Sequence, residues 1–310
     1  MNDKLKGGIL AALVTPFDGS GKIDKPAIRT LVKKLLAEGI SGFFVCGSTG
    51  EAFLMDGVER REVFETVAEA NEGKGSLICH CGAIGTDLGI ALAKHAAELG
   101  ADAVSSVPPF YHHFSNDEIL AYFNDLADAS GKPVIVYNIP SFCGVTITPA
   151  MMASLRNRVS GSLPGVAAQG VSIAGIKFTS LDLFAMEQMK TNDPDLLVYN
   201  GFDEVALAGF SMGADGAIGS NFNIMGKYFI DMQRLFLQNK VPEAQVLQRK
   251  ANAAIAALYG TGKLISCIKY IIGLQGIPYG NTRRPFSPLT EDDKKVCQQV
   301  FEGLRKDGIG

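Results

Sequence analysis

Lys177 lies within Ile173-Ala174-Gly175-Ile176-Lys177-Phe178, an otherwise apolar run. An ammonium buried there is costly unless it is paired or neutral. Burial disfavours the charged form of an amine, and a neutral amine is a nucleophile toward carbonyls. A lysine paired with Glu51 or Asp203 would explain the position equally well. The turn Gly47-Ser48-Thr49-Gly50 offers two hydroxyls and backbone amides, and its glycines let a ligand come close. That suits a carboxylate, although an ordinary turn into a helix capped by Ser or Thr reads the same way. Tyr137, near the end of another apolar run, is either a proton shuttle or an amphipathic aromatic at the edge of the core. An amine, an anion-binding turn and a phenol are together the parts that an imine-forming carbonyl enzyme needs.

The elements that must carry these groups repeat with a rhythm. Short apolar runs recur as GGILAALV, GFFVCG, SLICHCG, DAVSSV, PVIVYNI, IAGIKF, LLVYNG and GAIG, separated by segments of helical period such as AIRTLVKKLLAEG and IALAKHAAELG. Strands apolar on both faces indicate a parallel sheet covered by helices. Eight such units without a break in composition predict a closed (β/α)8 TIM barrel. Helix signals agree: Asp24 precedes Pro26, Gly39 and Gly100 follow helices, and Ser115 leads Asp117 and Glu118. Beyond about Asn223 the pattern is helical only, with GIPYGNTRRPFSPLT as a loop before the last helix. The organisation expected is a barrel over residues 1–235 and a C-terminal helical appendage over 236–310 packed on it. In such a barrel the reacting groups belong at the C-terminal ends of strands. Ser48, Thr49, Tyr137 and Lys177 all fall there, as do Thr179, Gly201, Asp203 and Glu204.

The 310 residues are 47 % hydrophobic and 20 % charged, with a net charge of −3 and no basic block. A large core is affordable, and nucleic-acid or membrane binding has no electrostatic support. No apolar stretch approaches the roughly 20 residues of a membrane span, and the N-terminus lacks a small-residue cleavage site. A cytoplasmic location is the default expectation. The six cysteines are scattered, as buried free thiols tend to be. In Cys79-His80-Cys81 a strand sends the thiols to one face and the imidazole to the other, so core packing is expected rather than metal. His112 and His113 read as solvated loop residues.

GSTGE after the second strand, YNIP after the fifth and GIKFTS on the sixth resemble the pyruvate-dependent class I aldolases of the N-acetylneuraminate lyase and dihydrodipicolinate synthase superfamily. The similarity runs from LVTPF near the start to the helical C-terminus. Three details favour the lyase branch. Ser48-Thr49 stands where the synthase branch has Thr-Thr, SFCG at 141–144 lacks the synthase's arginine, and YNGFDE is followed by GADGAIGS.

The resemblance implies that Lys177 forms the imine with pyruvate and Tyr137 relays the proton of carbon–carbon cleavage. Ser48 and Thr49 would bind the pyruvate carboxylate, and Thr179, Gly201, Asp203, Glu204 and Ser220 would contact the sugar portion. Tyr111 would reach into a neighbouring subunit's site. It further implies a homotetramer built as a dimer of dimers, no cofactor, no metal, and reversible cleavage of N-acetylneuraminate (sialic acid) to N-acetylmannosamine and pyruvate. Asp203 and Glu204 are expected to accept sugar hydroxyls rather than act as acid and base. One of the pair could instead complement a helix N-terminus. Two alternatives stay open: another pyruvate-dependent aldolase or synthase of the superfamily, and a non-catalytic barrel that binds sugar acids. The main departure from the family pattern is an insertion of about a dozen residues within 158–171, expected in a loop on the face opposite the site.

Overall fold

Each of the eight apolar runs forms a strand: β1 (Gly8–Ala12), β2 (Gly42–Val45), β3 (Ser76–His80), β4 (Ala103–Ser106), β5 (Val134–Asn138), β6 (Ile173–Phe178), β7 (Leu197–Asn200) and β8 (Gly216–Gly219). The computed structural model describes residues 3–5, 7–157 and 172–309. The proposed insertion within 158–171 therefore lies outside the described residues. Every strand pairs in parallel with the next, and β8 pairs with β1, so the sheet closes. Around it lie α1 (Lys25–Ala37), α2 (Gly57–Asn71), α3 (Thr86–Glu98), α4 (Asn116–Ser130), α5 (Pro140–Cys143), α6 (Pro149–Arg156), α7 (Leu183–Asn192), α8 (Ala206–Ser211) and α9 (Phe222–Leu237). Three further helices follow: α10 (Val241–Gly260), α11 (Leu264–Leu274) and α12 (Glu291–Lys306).

The period-two alternation of a strand divides the core in two. Phe43, Val45, Val134, Val136, Ile176 and Phe178 join the layer between sheet and helices. Leu10, Phe44, Ile78, Ile135, Tyr137 and Tyr199 fill the barrel interior. A register irregularity between Val134 and Ile135, where β5 pairs β6, matters for the site. Ile173 joins the outer layer and Ala174 the inner one, yet Ile176 and Phe178 face out. Lys177 between them is thereby aimed into the interior, the re-aiming that a bulge allows.

Local signals fix the helix starts. Asp24 and Thr148 cap α1 and α6, while Asp56, Ser115 and Thr290 form capping boxes at α2, α4 and α12. Asn223 in α9 holds the barrel seam. Its Oδ1 accepts from Val14 N (3.3 Å), and its Nδ2 donates to Ala12 O and Ser220 O (both 2.8 Å). No single helix among the described residues is long and apolar enough to cross a membrane; α10 and α11 together would be, but they meet at a 116° bend.

The C-terminal helices are tied to the barrel by a buried charge pair. Lys269 of α11 donates to Glu51, the residue after the Gly47–Gly50 turn, and both side chains are almost fully buried. Burial pulls the Lys269 ammonium below its usual range, opposed by the Glu51 charge. The second Glu51 oxygen accepts from Arg283 N at 2.7 Å, and the Arg283 guanidinium reaches Glu59 and Leu54 O. Glu51 is thus not available to Lys177.

Removing one partner of such a pair strands a buried charge, at a cost of about 3–5 kcal/mol. Lys269→Met should therefore lower unfolding stability in denaturant titrations by about that amount. The double substitution Glu51→Gln with Lys269→Met should restore much of it, because glutamine still accepts from Arg283 N. A double variant as unstable as the sum of its singles would contradict a paired buried charge.

Candidate active site

At the C-terminal ends of the strands lies a cavity of about 790 Å³. It collects residues from β5 and β6 and from the segments that follow β2, β6, β7 and β8, and it includes Ser48, Thr49, Tyr137, Lys177, Thr179, Gly201, Asp203, Glu204 and Ser220. Nine of the ten residues singled out from the sequence therefore converge. Tyr111 does not. It is 85 % exposed, lies outside this cavity and has φ +79°, a left-handed conformation that is costly for a tyrosine.

Lys177 is 3 % exposed and lies directly opposite Tyr137 on β5 and Tyr199 on β7. Its Nζ is 4.1 Å from the Tyr137 ring centroid and 4.4 Å from that of Phe44. Neither acid considered as an ion-pair partner is bound to it: Glu51 holds Lys269, and Asp203 Oδ2 accepts from Asn221 N and Nδ2, both at 2.8 Å. Lys177 is a buried amine between two aromatic faces, with no ion pair among the described residues.

The turn before Glu51 is held rigidly at both ends. Cys46 (φ +55°) and Glu51 (φ +57°) flank it in the left-handed region, a strain of about 1–2 kcal/mol each. The Cys46 carbonyl accepts from His80 Nδ1 at 2.9 Å, and the Gly50 carbonyl accepts from Thr15 Oγ1 at 2.8 Å. Thr49 Oγ1 and Ser220 Oγ are 2.6 Å apart, which joins the turn to the end of β8. The hydroxyl and amide groups of Ser48 and Thr49 are thus presented on a fixed frame beside the amine.

His80 itself is fully buried in the barrel interior, its ring edge-on to that of Tyr137 with centroids 5.9 Å apart. Burial, reinforced by the nearby Arg60 guanidinium, pushes its pKa well below the usual range. The neutral ring can then donate through Nδ1 to Cys46 O and accept the Val107 N–H at Nε2 (3.3 Å). Cys79 and Cys81 are buried in the layer between sheet and helices, on the opposite face of the strand from His80. Among the described residues no group of His, Cys, Asp or Glu has the geometry to hold a metal ion.

The far end of the cavity is acidic and only partly satisfied. Asp203 is buried, and burial raises its pKa to about 6 against the lowering effect of its Asn221 bonds. Thr179 Oγ1 and Glu204 Oε2 are buried with no partner among the described residues, so their hydrogen-bonding capacity remains for a ligand. Two glycines make this geometry possible. A Cβ on Gly201 would sit 1.9 Å from Thr179 Oγ1, and one on Gly219 would sit 2.0 Å from Asp203 Oδ1.

Sequence reasoning did not anticipate three sets of contributors, six residues in all. Asn221 clamps Asp203 and follows Ser220 with no motif of its own to mark it. Gln248 and Asn252 of α10 bind the backbone carbonyls of Asp203 and Glu204. Tyr259, Thr261 and Phe286, from the C-terminal helices and the loop before α12, form part of the cavity wall. The helices read as an appendage therefore complete the site. The one available signal was the polar spacing Gln248–Asn252, four residues apart and so on one helix face.

Comparison with known proteins gives a consistent picture. The chain is 40 % identical over 293 residues to an N-acetylneuraminate lyase of Rhizobium meliloti, an alignment that covers 94 % of this chain and 93 % of that protein. A Clostridium difficile protein crystallised with mannosamine superposes with a TM-score of 0.89 at 30 % identity, over 96 % of this chain and 98 % of that one. A Ruminococcus gnavus sialic acid aldolase altered at its catalytic lysine superposes with a TM-score of 0.91 at 26 % identity, over 99 % and 97 % of the two chains. The sequence profile of the dihydrodipicolinate synthetase family matches residues 5–303, and the chain belongs to that family.

Proposed function

We propose that this enzyme is a Schiff-base lyase that cleaves N-acetylneuraminate reversibly to N-acetylmannosamine and pyruvate. The observation that carries the reading is the buried Lys177 against Tyr137, with no ion pair among the described residues, in a cavity that Asp203 and Glu204 also line. The relatives named as sialic acid lyases and aldolases support the choice of substrate over another aldehyde partner.

In this scheme Ser48 and Thr49 bind the carboxylate of the open-chain sugar acid, which brings its 2-oxo carbon to Lys177 Nζ. The amine adds to the carbonyl. Tyr137 gives its proton to the departing hydroxyl, so that water leaves and a protonated imine and a phenolate remain. The phenolate accepts the C4 hydroxyl proton as the C3–C4 bond breaks, and the bonding electrons move into the imine to give an enamine. N-acetylmannosamine departs. Protonation at C3 and hydrolysis then release pyruvate and the free amine. The scheme draws on no metal and no nucleotide.

Asp203, Glu204 and Thr179 would receive the hydroxyls of the sugar chain. A substrate lacking those donors leaves buried acceptors unpaired, which is how a polar site rejects the wrong partner. Tyr111, exposed and strained on this chain, would serve a neighbouring subunit's site in a cytoplasmic homotetramer.

Incubation with N-acetylneuraminate should yield pyruvate and N-acetylmannosamine in equal amounts. Tyr137→Phe should lower kcat by about 10²–10⁴-fold, the usual worth of a positioned proton carrier. Condensation of pyruvate with aspartate semialdehyde in preference to N-acetylmannosamine would instead identify the synthase reaction.

Asp203 gives a second outcome with a defined sign. Its pKa rises from 3.8 to about 6 on folding, so its contribution to stability is full below about pH 4 and is lost as pH rises through 6. Asp203→Asn keeps an acceptor for Asn221 and removes the titration. The variant should therefore gain about 3 kcal/mol on the wild type between pH 4 and pH 7, read from denaturant midpoints. A constant difference across that range would show that Asp203 is not held against its own charge.

A further inference from the structure

We infer that Gln248 and Asn252 of α10 are positioning residues that set the enzyme's selectivity for its polyhydroxylated substrate half without acting on the pyruvate half. The inference rests on the sialic acid reading above. The acids Asp203 and Glu204 stand on a single 3-10 turn, Asp203–Val205, which has little internal hydrogen bonding to hold it. Two adjacent carboxylates on so short a turn repel each other, and the Glu204 charge adds to the upward shift at Asp203. Something outside the turn must fix it.

Helix α10 supplies that restraint. Gln248 Nε2 donates to Asp203 O at 3.1 Å, and its Oε1 accepts from Leu207 N at 3.0 Å, so one side chain spans the turn and the start of α8. Asn252 Nδ2 donates to Glu204 O at 3.0 Å. The two amides are themselves joined, Gln248 Nε2 to Asn252 Oδ1 at 2.8 Å, which fixes which end of each side chain faces the turn. The Asp203 carboxylate is separately held by Asn221, and Glu204 Oε2 is left unpartnered. The ladder therefore sets where both acids stand without occupying the oxygens meant for a ligand.

The pyruvate half is anchored elsewhere. Lys177 and Tyr137 are on paired strands, and the turn that bears Ser48 and Thr49 is held by His80 at Cys46 O and by Thr15 at Gly50 O. Loss of the α10 ladder should then displace the sugar-binding acids and leave the imine chemistry in place. Neither Gln248 nor Asn252 touches the reacting atoms.

The test measures pyruvate and N-acetylmannosamine condensation with Gln248→Met, close in shape but without amide hydrogen bonds, and with Asn252→Leu. The KM for N-acetylmannosamine should rise about tenfold or more, the effect of one lost hydrogen bond to a buried group. The KM for pyruvate should change by less than about threefold on the same basis. Gln248→Glu guards against a folding failure in the methionine variant. It keeps the acceptor for Leu207 N but loses the donor to Asp203 O, and it should shift the same KM in the same direction. Unchanged N-acetylmannosamine KM values, or parallel losses for both substrates, would overturn the inference and leave the proposed function standing. A wild-type enzyme that does not condense pyruvate with N-acetylmannosamine at all would overturn the proposed function, and this inference with it.

Discussion

The interior of a small closed barrel has no room for an unpaired ammonium unless the surrounding structure makes a place for one. Lys177 is placed there by the register irregularity opposite β5, which turns it inward while its neighbours Ile176 and Phe178 face the helices. Its nearest company is the faces of Phe44 and Tyr137 rather than a carboxylate. A ring face attracts a cation more weakly than a carboxylate does, so neither ring holds the amine in an ion pair. The two acids that could pair with this amine are bound by other groups. Glu51 is taken by Lys269 and Arg283 N, and Asp203 by Asn221.

This arrangement makes the C-terminal helices part of the machinery. The Glu51–Lys269 pair links α11 to the turn that presents Ser48 and Thr49, while α10 holds the turn that bears Asp203 and Glu204. The two ends of the cavity therefore rest on different helices of the same segment. A barrel alone would provide the amine and the phenol. The helices complete the positions at which a carboxylate and a polyol would be read.

Much of the fold was legible because its signals are local. Eight apolar runs became eight strands, and Asp24 and Ser115 became helix caps. The convergence of Ser48, Thr49, Tyr137 and Lys177 followed from strand ends in a barrel, which places such residues at one face whatever their separation in sequence. What was not legible was long-range. Lys269 reads as a charged interruption in an apolar helix, and its partner Glu51 lies 218 residues away. Gln248 and Asn252 bind backbone carbonyls, which have no side-chain signature to match. Asn221 is an unremarked neighbour of Ser220 until folding brings Asp203 against it. The choice between a salt bridge and a nucleophile at Lys177 could not be made from position alone, because the occupancy of Glu51 and Asp203 is itself a tertiary fact.

The central claim is that Lys177 carries the substrate covalently. Borohydride reduction in the presence of pyruvate, followed by mass measurement and peptide mapping, tests it most directly. The account predicts one reduced three-carbon adduct per chain, located on Lys177 and absent from Lys177→Met. An adduct on another lysine, or no adduct while cleavage proceeds, would contradict it.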